Sequence, residues 1–277
     1  MKKFIPSIII LLIFNFASCI NKNKVLLQSE PHLSFDVTVQ SKLVEVDNVQ
    51  RLYVVTKDNS IIRYGDDYKE IFRYANRRSG DITDINASNP IKILVYCRDF
   101  GNVILLDNTL ALIEEFSLSS YGFTDISAVG VSNDNGYWIF DPLRFRLIKL
   151  DISGQILFES VNVQDYGIFS PNITRIVESG NRVILLDSNN GFYVFDNFGQ
   201  YLRHIPVKNI ISFRFDGNIL TYYTESGLFY CLVEFADPMK IQVTKDEFFP
   251  IPINIIYTDK GFLKVFPHGI NFKPLTK

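Results

Sequence analysis

From residue 33 onward the chain alternates short apolar runs with compact polar turns. The stretch 136–160, GYWIFDPLRFRLIKLDISGQILFES, shows the grammar most clearly. It holds a wholly apolar run at 137–140, a mixed one at 146–150 and an alternating one at 156–161, with the tight-turn sequence Asp151-Ile-Ser-Gly154 between the last two. Runs of this length, bounded by Gly, Asn and Asp, predict strands. No stretch of a dozen residues carries an i, i+3, i+4, i+7 apolar face, which excludes a helical repeat. The first set of strands is predicted at 43–46, 52–55, 60–64 and 70–74, and the second at 84–86, 91–97, 103–106 and 110–118. A third set joins 126–131 to the 136–160 stretch through Asn135-Gly136, a strong hairpin signal. The fourth falls at 173–177, 183–186, 192–195 and 201–207, and the fifth at 211–215, 219–223, 228–235 and 240–243. The sixth has only three strands, at 254–257, 262–266 and 270–273, while the segment 33–39 stands unassigned before the first set.

The spacing decides the architecture. Apolar second strands begin near residues 50, 91, 136, 181, 218 and 261, in steps of 41, 45, 45, 37 and 43. That is the period of a four-stranded propeller blade. The expected fold is all-β: a six-bladed β-propeller of four-stranded antiparallel blades over residues 33–277, with the N-terminal strand closing the last blade. Closure in this way leaves no unpaired sheet edge at the join. A β-sandwich also makes many short strands, but it does not explain the near-fixed step.

Composition agrees. Aromatic residues reach 14%, with 24 Phe and 14 Tyr, while Ala, the best helix former, occurs only six times. The net charge is −2, and the only adjacent basic pairs are Lys2-Lys3 and Arg77-Arg78. Nucleic acid is therefore not expected as a partner, because phosphate binding needs a clustered basic surface.

Residues 1–18 read as a leader: Lys2 and Lys3, then an apolar stretch at 4–16 too short to span a bilayer. Phe16-Ala17-Ser18-Cys19 resembles a bacterial lipobox, in which the Cys is lipidated and becomes the new N-terminus. The alternative is an ordinary secretory signal cut near Ser18. On the first reading Cys19 carries the membrane anchor, several acyl chains giving stable attachment, and residues 19–32 form a tether. Cys97 and Cys231 sit in apolar strand-like runs far apart, and read as two separately buried thiols rather than a disulfide.

The third set reads Ile126-x-Ala-Val-Gly, then Gly136-Tyr-Trp-Ile-Phe-Asp141, then Leu147-Ile-Lys-Leu-Asp151-Ile-Ser-Gly154. It resembles the NHL-type repeat, and the fourth set follows it through Leu186-Asp187, Phe195-Asp196 and Gly199. With the lipobox, the chain is similar to the six-bladed propeller lipoproteins of Bacteroidetes. That resemblance implies the propeller fold and a cell-envelope location. The segment after Cys19 lacks the acidic run that often marks surface-exported lipoproteins of that group, which points to the outer membrane facing the periplasm. A monomeric chain is expected. The resemblance implies no activity, since propellers host binding proteins, lyases and hydrolases alike.

Candidate chemistry is sparse. His32, His204 and His268 lack ligand-like spacing, and no catalytic constellation, metal site or cofactor motif is expected. The loops 132–136 and 187–191 fit hairpin turns without the ligand alternation of a calcium loop. One recurrence stands out: Asp84, Asp125, Asn172, Asn209 and Asn254 each precede an Ile at the start of a first strand. First strands line a propeller's channel, so these groups predict a polar ring at one mouth. With Arg175 nearby, such a ring would bind a small polar ligand or a cation. Alternatively they bond their own turns. The function expected is a non-catalytic envelope binding or scaffold domain for a protein or glycan partner. Tyr121, Phe123, Tyr166 and Phe169 in the longer links are candidate contacts. A hydrolase or lyase acting on saccharide or peptide at the channel mouth is the competing expectation.

Overall fold

The computed structural model describes residues 34–75, 77–235, 239–241 and 251–274. The leader, Cys19 and the tether lie outside the described residues. The unit from Phe35 onward is a six-bladed β-propeller, six separate four-stranded antiparallel sheets in a ring. A short strand β1 (Val37–Thr38) precedes blade one, which is β2 (Ser41–Val46), β3 (Leu52–Thr56), β4 (Ser60–Tyr64) and β5 (Glu70–Ala75). Blade two is β6 (Asp84–Asn86), β7 (Ile93–Cys97), β8 (Asn102–Leu106) and β9 (Leu112–Ser117). Blade three is β10 (Ala128–Val131), β11 (Tyr137–Asp141), β12 (Arg146–Leu150) and β13 (Ile156–Glu159). Blade four is β14 (Ile173–Ser179), β15 (Arg182–Asp187), β16 (Gly191–Asp196) and β17 (Tyr201–Pro206). Blade five is β18 (Ile210–Asp216), β19 (Ile219–Thr224), β20 (Gly227–Leu232) and β21 (Met239–Lys240). Blade six has β22 (Asn254–Thr258), β23 (Gly261–Phe266) and β24 (Gly269–Pro274), and β1 completes it as the outermost strand.

The turns repeat one device. In Asp47, Asp107, Asp151 and Asp196 the same carboxylate oxygen accepts the backbone N–H groups two and four residues on, at 2.7–3.0 Å. The acid at the head of the turn thus closes it together with a backbone bond from its own N–H to the carbonyl four residues on. At Asp151-Ile-Ser-Gly154 the glycine has a second task. Its φ is +81°, and the Tyr121 ring lies where a Cβ would stand, within 2.3–2.6 Å.

Apolar side chains from adjacent blades meet in wedges between the sheets. Val55 and Ile61 of blade one pack with Ile85 and Val95 of blade two, and Ile139 and Ile148 of blade three pack with Leu94 and Leu105 of blade two. Trp138 and Phe140 meet Ile176 and Val183, and Ile184 and Val194 meet Leu220 and Tyr222. Among the described residues the wedge between blades five and six is the thinnest, built on Tyr223, Leu228, Ile255 and Phe262. The wedge between blades six and one includes Val37 of the closing strand. Cys97 and Cys231 are buried in two different wedges, so they cannot bridge one another.

The structure departs from the sequence expectation at strand ends. The closing segment was expected over 33–39, yet only Val37 and Thr38 form ladder pairs, with Ile270 and Gly269. Its flanks are held otherwise: Phe35 packs on Phe266 at 5.8 Å, Asp36 accepts from Phe272 N–H at 2.7 Å, and Val39 N–H donates to the His268 carbonyl. Two links expected as loops contain single 3-10 turns, Leu118–Tyr121 and Val163–Tyr166, each followed by a glycine in the left-handed region. First strand β10 begins at Ala128 rather than 126.

Val37 is 3% exposed and sits in the wedge that joins the chain's two ends. Val37→Asp would bury a charge there and is expected to cost about 3 kcal/mol or more. Thermal denaturation checks this, and an unchanged midpoint would show that β1 does not hold the ring shut.

A candidate site at one mouth of the channel

The first strands β2, β6, β10, β14, β18 and β22 form the innermost layer and pack against one another. The starting residues of all but β10 gather at one mouth, where a cavity of about 390 Å³ opens. Blades one, two, four, five and six contribute to it through Ser41, Asp84, Arg175, Ser212 and Asn254.

Arg175 crosses the channel beneath this cavity. From blade four, its Nη2 donates to Glu45 Oε2 of blade one at 2.7 Å and to the Ile85 carbonyl of blade two at 3.1 Å. Its Nε lies 3.7 Å from Asp84 Oδ1, and its guanidinium stands 5.6 Å from the centre of the Phe213 ring of blade five. One side chain of blade four therefore reaches three other blades. Burial pushes the Glu45 and Asp84 carboxyls above their usual range, and the charge of Arg175 pulls back only part of that rise. Burial by itself would favour a neutral Arg175, but the two carboxylates more than offset this and keep it protonated.

Of the residues expected to form the ring, Asp84 and Asn254 line the cavity, as does Arg175. Asp125, Asn172 and Asn209 do not. All three are exposed: Asp125 and Asn209 are turn residues in the left-handed region at φ +57° and +55°, and the Asn172 N–H donates to Asp187 Oδ2. The ring is broken at blade three for a steric reason. Asn86 Nδ2 of blade two donates to the Ile176 carbonyl of blade four at 3.2 Å, so β6 and β14 meet directly. Gly130 of β10 permits the approach, since a Cβ there would lie 2.7 Å from that same carbonyl oxygen.

Glu45 is the site residue that sequence reasoning passed over. Its signal was an acid within the apolar alternation Leu43-Val-Glu-Val46, matched by a base in Ile173-Thr-Arg-Ile176. Two opposite charges on the inner strands of different blades can meet only in the channel.

The other candidates are committed elsewhere. Trp138 donates to Glu178 Oε2 at 2.6 Å; the Ser132 hydroxyl and Asn133 N–H donate to the same oxygen, tying blade three to blade four. The Asp187 carboxylate accepts from Asn172, Asn189 and Asn190. His204 stacks on Tyr193, with Nε2 2.8 Å from the Asn190 carbonyl. In the links, Tyr121 packs on Phe116, Phe123 is buried and Tyr166 stacks on Tyr201 at 4.4 Å, while Phe169 is 73% exposed.

No protein-family profile matches the sequence, and a comparison with curated proteins finds no relative. Solved structures do resemble it. A streptogramin B lyase is 12% identical with a TM-score of 0.55, the match covering 86% of this chain and 94% of that one. Virginiamycin B lyase from Staphylococcus aureus is 13% identical with a TM-score of 0.54, over 82% of this chain and 77% of that one. The extracellular domain of a hybrid two-component system from B. thetaiotaomicron is 15% identical with a TM-score of 0.52, over 82% of this chain and 32% of that one. At such identities the likeness establishes the propeller fold and nothing about activity.

Replacing Arg175 by Met would leave the buried Asp84 and the mostly buried Glu45 without their counter-charge, at an expected cost of about 3 kcal/mol at pH 7. The pH dependence follows from the raised carboxyls. A folded state that holds protons at higher pH than the unfolded chain gains stability as pH falls toward the unfolded value of about 4. Without Arg175 the two carboxyls rise further, so the deficit of the variant should shrink between pH 7 and pH 5. Urea denaturation at both values checks this, and a deficit that grew on acidification would contradict it.

Proposed function

We propose that this chain is an envelope lipoprotein, anchored through Cys19, whose propeller takes a polar group of its ligand or partner into the Arg175 mouth. The single observation behind this reading is a concave cavity built by five blades over a floor held rigid by a buried ion network. Preformed concavity with a few oriented polar groups is the usual form of a ligand site. The resemblance to NHL-type lipoproteins of Bacteroidetes supports the envelope location, on the periplasmic side of the outer membrane.

Binding is favoured over hydrolysis or elimination because both carboxylates near the cavity face the same guanidinium. Neither stands apart as a general base, and among the described residues no His or Cys lines the cavity. Of the link aromatics, Tyr121 packs on Phe116 and Phe123 is buried, while Tyr166 and Phe169 are 43% and 73% exposed and open to a partner.

Thr174 lines the cavity and is only half-buried, so Thr174→Trp would fill the mouth without entering a wedge. Thermal-shift measurements with panels of small amines, carboxylates and saccharides should find a stabilising class for the native chain and none for the variant. Stabilisation that persists in Thr174→Trp would place binding elsewhere. For the anchor, Cys19→Ala should move the protein from the membrane fraction to the soluble envelope fraction, and an unchanged distribution would remove the lipoprotein reading.

A further inference from the structure

The donors and acceptors around the mouth are unequal. Arg175 Nη2 is engaged by Glu45 and Ile85, Lys42 Nζ by Asp81 at 2.5 Å, the Ser212 hydroxyl by the Ile255 carbonyl and the Thr83 hydroxyl by the Tyr96 carbonyl. Arg175 Nε, buried without a hydrogen bond, already faces Asp84 Oδ1. The acceptors are otherwise placed. Asp84 Oδ1 accepts from the Ile85 N–H, but Asp84 Oδ2 is buried with no partner, and so is Asn254 Oδ1. The Asp84 side chain is 90% buried, its residual exposure being 10%. A buried acceptor left unmatched costs about 1–3 kcal/mol, and more when charged. Two residues lining one cavity therefore await a donor.

Charge points the same way. Glu45 and Asp84 both face the guanidinium of Arg175, Lys42 is neutralised by Asp81, and Arg214 also acts on Glu45. The unmatched oxygen at the mouth thus belongs to an acid, which favours a charged donor over a neutral one. The cavity walls are mixed: Ser41 and Thr174 stand beside Leu43, Leu186, Ile211 and Ile253, and the last two are 42% and 53% exposed at its rim. A bare divalent cation fits poorly, because two unmatched oxygens fall short of the roughly six to eight that calcium takes. No group of three or more His, Cys, Asp or Glu stands ready among the described residues.

We infer that the mouth binds a primary ammonium group on an aliphatic stem, the N–H donors reaching Asp84 Oδ2 and Asn254 Oδ1 and the stem lying against Ile211 and Ile253. This rests on the reading of the mouth as a binding site and names the chemistry of what enters it. The ammonium brings three donors to two acceptors without partners, one of them a carboxyl oxygen that favours a charged donor. The rim isoleucines exclude water from the stem, as apolar walls do in preformed pockets. A free alkylamine and a lysine side chain present the same chemistry.

Isothermal titration of the purified chain with n-butylamine, n-butyrate and n-butanol separates charge from apolar fit. Nα-acetyl-lysine-methylamide separates a peptide source from a free amine. Butylamine or the blocked lysine should bind, with butyrate and butanol at least about tenfold weaker. Asp84→Asn keeps the acceptor for Ile85 N–H while removing the charge, and should weaken amine binding at least about tenfold. Circular dichroism and a thermal melt of that variant confirm that it is folded, and Asn254→Leu provides a second variant that leaves the ion network intact. Butyrate or butanol binding as well as the amine, and lost in Thr174→Trp, would overturn the ammonium assignment while keeping the mouth as a site. Amine binding unmoved by Asp84→Asn and Asn254→Leu would also overturn it. Absence of binding by all four probes would overturn the ammonium assignment, and persistence of wild-type binding in Thr174→Trp would overturn the site itself.

Discussion

The ion network of Arg175 is the constraint on which the centre of this propeller depends. A guanidinium under the mouth must be neutralised and hydrogen-bonded, and the partners come from blades one and two rather than from its own sheet. That requirement holds three inner strands at fixed distances. It also holds Asp84 in place with one carboxylate oxygen engaged and the other unmatched. The feature that stabilises the channel and the feature that could recognise a ligand are therefore the same group of side chains.

Around this centre the ring is assembled from local and pairwise devices. Turns are closed by their own leading aspartates, and blades by antiparallel ladders. Adjacent blades are joined by apolar wedges supplemented by single polar bonds, such as Tyr96 to the Ile126 carbonyl at 2.7 Å and Trp138 to Glu178. Each joint is sequence-local except the last. Blade six takes its outer strand from the opposite end of the chain, so its order depends on the most distant contacts in the molecule.

The blades were legible in sequence because strand, turn and period are properties of short segments. Asn135-Gly136, Asp151-Ile-Ser-Gly154 and the recurrent apolar second strands all report local geometry, and all fall where expected. The polar ring was only partly legible. A sequence shows that Asp125 precedes an inner strand, but not that β10 begins only at Ala128 and leaves Asp125 exposed in the turn before it. Glu45 was missed for a related reason. An acid in an apolar strand is anomalous alone, and its meaning depends on a base 130 positions away that only the closed ring brings within 2.7 Å. The aromatic links were legible only as positions, since composition cannot distinguish an exposed side chain such as Phe169 from one folded back onto Gly154, as Tyr121 is.

The central claim is that Glu45 and Arg175 form a coupled pair across the channel rather than two separately tolerated charges. A double-mutant cycle with Glu45→Gln and Arg175→Met, read by urea denaturation at pH 7, measures that coupling directly. The structure predicts an interaction energy of about 2 kcal/mol or more, because removing either partner leaves the other buried without its match. Effects that add within about 0.5 kcal/mol would contradict the network and, with it, the preformed mouth that it holds open.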